Sequence, residues 1–111
     1  MANLVSHVGC IQSDNNLEIA GVGCLAIKTN YRTHGILGKN NLWFTGCPNI
    51  YIDNGTNETR GHDGIHTGKS LFIENGNFTI INCNDGIGIG SSNNGIVRIF
   101  KGTFDIDEDS S

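Results

Sequence analysis

The sequence predicts an all-β fold: a right-handed parallel β-helix (β-solenoid) with three short strands per coil and about four coils. Three observations carry this expectation. One segment pattern recurs four times along the chain, with its apolar residues in five aligned columns. Gly supplies 16 of 111 residues, about twice its ordinary share, beside a single Pro. A chain rich in Gly and Asn makes many tight turns and leaves little room for long helices.

The first repeat, GCIQSDNNLEIAGVGCLAI, runs from Gly9 to Ile27. Leu17 and Ile19 flank one outward residue, as do Leu25 and Ile27, which is the alternation of a half-buried strand. The step into Ile11 gives a third short strand. The second repeat, HGILGKNNLWFTGCPNIYI (His34 to Ile52), keeps the same internal spacing. The third, DGIHTGKSLFIENGNFTI (Asp63 to Ile80), is shorter by one residue in its Gly-containing turn. The fourth, DGIGIGSSNNGIVRIFKGTFDI (Asp85 to Ile106), carries extra residues around Ser91–Asn94. The leading isoleucines Ile11, Ile36, Ile65 and Ile87 are 25, 29 and 22 residues apart.

Five columns follow: Ile11, Ile36, Ile65, Ile87; then Leu17, Leu42, Leu71, Val97; then Ile19, Phe44, Ile73, Ile99; then Leu25, Ile50, Phe78, Phe104; and Ile27, Ile52, Ile80, Ile106. Triplets this short cannot build a sheet within one repeat. Stacking repeat on repeat pairs each strand with its counterpart, about 4.8 Å per step. Gly35, Gly64 and Gly86, like Gly46, Gly76 and Gly102, recur at corners and are expected to supply positive φ there. The domain reading is a cap segment over residues 1–8, the β-helix over 9–106 and an acidic, flexible tail over 107–111.

Seven basic and eleven acidic residues leave a net charge of −4. That balance argues against nucleic-acid binding through phosphate contacts. No apolar run is long enough for a membrane helix. Met1–Val8 carries no secretion signal, which places the chain as written in the cytoplasm, or outside the cell or on a virion if it is trimmed. The four cysteines, Cys10, Cys24, Cys47 and Cys83, lack metal-binding spacing and read as reduced, semi-buried thiols.

The segments GHDGIHTGKSLFIENGNFTI and NDGIGIGSSNNGIVRIFKGTFDI resemble coils of the calcium-associated carbohydrate-binding β-helix domains related to pectate lyases. The resemblance is best over residues 61–106. In the first two coils Gly9 and His34 stand where that pattern has Asp before Gly-Ile. The resemblance implies a non-catalytic module for acidic polysaccharide, with Ca²⁺ held by acidic residues at that corner.

The residues before each Gly-Ile step are His34, Asp63 and Asp85, stacked by the coil spacing. Two carboxylates so close need a cation, a shared proton or outward splaying. Ca²⁺ would suit Asp63 and Asp85, with His34 in the same column. The plainer alternative is that Asp and Gly make the turn. A softer set, His34 with His62 or His66 and Asp63, would suit Zn²⁺ or Ni²⁺. Thr67-Gly68-Lys69-Ser70 mimics the end of a phosphate loop, but a strand follows where that loop needs a helix.

Between the inward columns lie Glu18, Trp43, Phe72 and Arg98, then Ala20, Thr45, Glu74 and Phe100. Trp43, Phe72 and Phe100 form an aromatic patch, with Arg98 beside it and Tyr51 outward on the neighbouring strand. Such a patch suits sugar stacking, a protein interface or cover by the N-terminal segment. Two function classes follow. One is the carbohydrate-binding module. The other is a self-assembling protein-interaction module of phage type, either a spike fragment or an inhibitor that sequesters a host factor. A lyase ranks third, since Lys39, Lys69, Arg32 and Arg60 qualify as bases by type alone. The expected partners are polysaccharide or protein, with a homo-oligomer as the remedy for open strand ends.

Overall fold

The computed structural model describes residues 9–29, 33–55, 63–90 and 95–108. Coil one is β1 (Gly9–Ser13), β2 (Leu17–Gly21) and β3 (Cys24–Lys28). Coil two is β4 (His34–Gly38), β5 (Leu42–Gly46) and β6 (Asn49–Asp53). Coil three is β7 (Asp63–Thr67), β8 (Leu71–Ile73) and β9 (Asn77–Cys83). Coil four is β10 (Asp85–Ile89), β11 (Val97–Ile99) and β12 (Thr103–Glu108). Among the described residues there is no helix.

Every strand pairs in parallel with its counterpart in the next coil. Three sheets result, ordered β1-β4-β7-β10, β2-β5-β8-β11 and β3-β6-β9-β12. This is a parallel β-solenoid with three strands per coil. The register matches the five columns residue for residue: Ile11, Ile36, Ile65 and Ile87 are Cα partners in turn, and so are the members of the other four. The coil stacking continues through the corners, where Lys39 N donates to Ser13 O, Gly68 N to Gly38 O and Gly90 N to Thr67 O, each at 2.8–2.9 Å.

The columns close on a single core. Ile36, Leu42, Phe44, Ile52, Ile65, Leu71, Ile73, Phe78 and Ile80 are all essentially without solvent contact. Phe44 meets Phe78 edge-on at 5.1 Å, and Phe78 stacks on Phe104 at the same distance. Burial is complete in the two middle coils, which have neighbours on both sides, and falls away in coil four.

Three expectations need correction. Gly46, Gly76 and Gly102 have positive φ, with Gly46 deep in the left-handed region at 78°. Gly35, Gly64 and Gly86 do not. They are small because a Cβ at Gly64 would lie 2.3 Å from Ile80 Cγ2 and 2.8 Å from Gly86 O. Their corner is where the first sheet leans on the third. The second concerns the carboxyl end. β12 does not stop at Ile106: Asp107 pairs with Ile81 and Glu108 with Cys83, across a register shift, because β9 is long enough to receive them. The cap proposed for residues 1–8 and the rest of the tail, 109–111, lie outside the described residues. No disulfide joins the four cysteines among the described residues, and Cys10 and Cys24 are exposed rather than semi-buried.

Candidate functional site

The sheet formed by β2, β5, β8 and β11 turns its outward residues to solvent in one line. Glu18 pairs with Trp43, Trp43 with Phe72 and Phe72 with Arg98. In-register stacking leaves two aromatic rings one rung apart. The rings of Trp43 and Phe72 lie nearly parallel, 14° apart, with centroids separated by 5.7 Å. This is an offset-stacked aromatic pair on an exposed face. Both side chains are half-buried.

A second line runs beside the first. The ladder continues past the end of β8: Glu74 N donates to Phe44 O at 2.8 Å and Phe100 N to Ile73 O at 2.9 Å. Thr45, Glu74 and Phe100 thereby come level with the ring pair. Together with Trp43, Phe72 and Phe44 they line an open groove of about 560 Å³. Phe100 is 73% exposed. The polar rim is already ordered. Thr45 Oγ1 donates to Glu18 Oε2 at 2.7 Å, and Gly46 N donates to Glu74 Oε1 at 2.8 Å. Each carboxylate keeps a second oxygen that can accept from a ligand hydroxyl.

The structure therefore brings Trp43, Phe72 and Phe100 together and sets Arg98 one rung beyond Phe72. Tyr51 is placed elsewhere. It stands on β6, in the third sheet, lining a smaller cavity of about 200 Å³ with Asn49, Asn77 and Thr79 among others. Asn49 and Asn77 form a polar ladder there, Asn77 Nδ2 donating to Asn49 Oδ1 at 2.8 Å, and Thr103 Oγ1 donates to Asn77 Oδ1. Thr45 and Glu74 are groove residues that residue type alone did not single out. Their signal was position, since both fall in the outward column next to the rings.

The second candidate lies at the corner where β4 and β7 begin. Asp63 N donates to His34 Nδ1 at 3.0 Å. His66 Nδ1 lies 2.7 Å from Asp63 Oδ2, and the two imidazoles stack with centroids 4.6 Å apart. His34 and Asp63 are buried, and His66 is half-buried. One ligand atom from each of the three lies within 4.8 Å of the others. Asp85 is in register with Asp63 but is exposed and stands outside this group.

The donors at this corner are two imidazoles and one carboxylate. Ca²⁺ takes about six to eight oxygens, so the set does not fit it. A mixed set suits Zn²⁺ or Ni²⁺ better. However, the His34 Nδ1 lone pair is engaged by the Asp63 amide and would have to surrender that hydrogen bond. The geometry is that of a hydrogen-bonded corner in which Asp63 reaches the neighbouring coil through its backbone amide and holds His66 of its own strand through its carboxylate.

Comparison with known proteins gives one family. A family model described as carbohydrate-binding domain-containing protein matches residues 3–111. No curated protein and no solved structure matches.

Proposed function

Since the chain belongs to the carbohydrate-binding domain-containing protein family, we propose that it is a non-catalytic module whose sugar-binding surface is the groove beside Trp43 and Phe72. The observation that carries this reading is the stacked ring pair, 5.7 Å apart, lining one groove with Phe100 and the Glu74 carboxylate, with Glu18 one rung below Trp43. A pyranose has an apolar face of C–H groups and a rim of hydroxyls. An aromatic wall receives the first, and Glu18, Glu74 and Thr45 receive the second.

The charge at the groove refines the ligand class. Glu18 and Glu74 bracket the rings, and Arg98 is the one cation in their ladder. The chain as a whole carries a net charge of −4. A polyuronate would meet repulsion here, so uncharged sugars are the better match than the acidic polysaccharide expected from sequence. No catalytic step is assigned to the groove.

Trp43 is the single tryptophan, so its fluorescence reports the site directly. Titration with soluble neutral oligosaccharides, with polygalacturonate for comparison, should shift Trp43 emission for a neutral sugar. Trp43→Ala and Phe72→Ala should each weaken retention on the corresponding immobilised glycan by about tenfold or more. Unchanged emission across the panel, or unchanged retention of both variants, removes the groove as the binding surface.

A further inference from the structure

Two Asn-Gly steps lie among the described residues, and their surroundings differ. In such a step the side-chain amide can close on the next backbone nitrogen, because Gly brings no Cβ against the approach. At Asn54–Gly55 the two groups are held apart. Asn54 is fully buried, its Nδ2 donates to Asp63 O at 3.0 Å and its Oδ1 accepts from Thr29 Oγ1 at 3.3 Å. Gly55 N donates away from it, to Asp53 Oδ1 at 3.0 Å. At Asn75–Gly76, in the turn between β8 and β9, the two groups meet. Gly76 N donates to the side chain of Asn75 itself, 2.9 Å from Oδ1. The carbonyl carbon Cγ is one bond from that oxygen. Asn75 is half-buried and follows the exposed Glu74.

We infer that Asn75 is a site of spontaneous covalent modification, in which Gly76 N closes on Asn75 Cγ. Base in the solvent removes the Gly76 amide proton, and the nitrogen forms a bond to Cγ. The Cγ–Nδ2 bond breaks, and ammonia leaves after taking a proton from water. The cyclic imide then adds one water molecule, and one of its two carbonyl C–N bonds breaks. Cleavage at Cγ gives aspartate at position 75. Cleavage at the backbone carbonyl carbon gives an isoaspartyl link that runs through the side chain. Nothing is oxidised or reduced: water enters and ammonia departs. Contact between the reacting groups beforehand speeds the closure, since their freedom is already lost. The isoaspartyl product lengthens the backbone by one atom in a turn pinned at both ends. Glu74 N donates to Phe44 O at 2.8 Å, and Asn77 N donates to Pro48 O at 2.9 Å. Gly76 O also accepts from Thr103 N at 2.9 Å, so a longer turn disturbs the contact with coil four.

Timed incubation of the full chain at mildly alkaline pH, followed by peptide mapping in a mass spectrometer, reads both steps in one sample. In the folded chain Asn75 should convert at least about tenfold faster than Asn54. In concentrated urea, where both steps lose their surroundings, the two rates should converge. Aged wild-type protein should lose more in melting temperature than Asn75→Gln aged beside it, because glutamine would have to close a larger ring. Asn54 keeping pace with Asn75 in the folded chain would overturn the inference. So would an Asn75 that converts in urea but not in the folded chain, or a rate ratio that urea leaves unchanged. Equal losses in melting temperature would overturn the effect on the fold.

Discussion

Asp53 joins coil two to coil three with one side chain, beside the Lys28 charge of coil one. It stands in register between Lys28 in coil one and Ile81 in coil three. Its Oδ1 accepts from Asn82 Nδ2 at 2.8 Å and from Gly55 N at 3.0 Å. Burial pushes its carboxyl up, but the two hydrogen bonds and the nearby Lys28 ammonium outweigh that and hold it below the usual 3.8. A carboxylate whose folded pKa is depressed stabilises the fold above the unfolded value. That contribution fades as pH falls through the folded one. Between about pH 5 and about pH 2, thermal melting of wild type should therefore fall further than that of Asp53→Asn. Equal slopes would show that Asp53 does not titrate against the fold. Its neighbour Asn54 is fully buried for a related reason: Nδ2 donates to Asp63 O at 3.0 Å, and Oδ1 accepts from Thr29 Oγ1 at 3.3 Å. One amide thus joins all three of the coils that flank this corner.

At the scale of the strand and its corner, the deciding quantity is distance between coils. Strand alternation sends one residue inward and the next outward, so the five columns could be written down from spacing alone. The corner glycines could be located the same way, but not explained. Gly64 is required by close approach, not by φ. Gly64→Ala must displace the Ile80 side chain or the backbone carbonyl of Gly86, and that carbonyl belongs to the next coil. The expected loss is about 1–3 kcal/mol in urea unfolding. Gly23 is the control, since a Cβ there meets nothing within 4 Å and its φ is not positive. Gly23→Ala should leave the midpoint in place. If Gly64→Ala is equally silent, the corner is looser than the contact distances say.

Across the whole molecule, stability is graded along the axis. Each coil gains its burial from the coils above and below, so the middle of the stack is dry and its ends are not. Ile73 and Ile99 occupy the same column, one with no solvent exposure and the other 47% exposed. Ile73→Ala should cost about 2–5 kcal/mol, while Ile99→Ala should cost about 1 kcal/mol or less in dilute solution. Equal losses at the two positions would show that the end of coil four is covered under the conditions used. The same gradient explains why the aromatic groove sits where it does. Trp43 and Phe72 belong to the two middle coils, whose backbone is held on both sides, and a rigid ladder fixes the ring spacing.

What this chain's residues determine by themselves is the coil: its three strands, its columns and the outward position of Trp43, Phe72 and Phe100. Those follow from the two-residue pleat and from repetition, both of which are local or one-dimensional. Which side chains meet across coils was settled in three dimensions. Asp85 shares a column with Asp63, yet His66, three residues further along, is the group that reaches the Asp63 carboxylate. Tyr51 faces outward like Trp43, yet the turn between β5 and β6 carries it onto a different sheet. Outward direction is a property of one strand, whereas membership of a site depends on the corner angles between strands. Those angles are set by packing around the core.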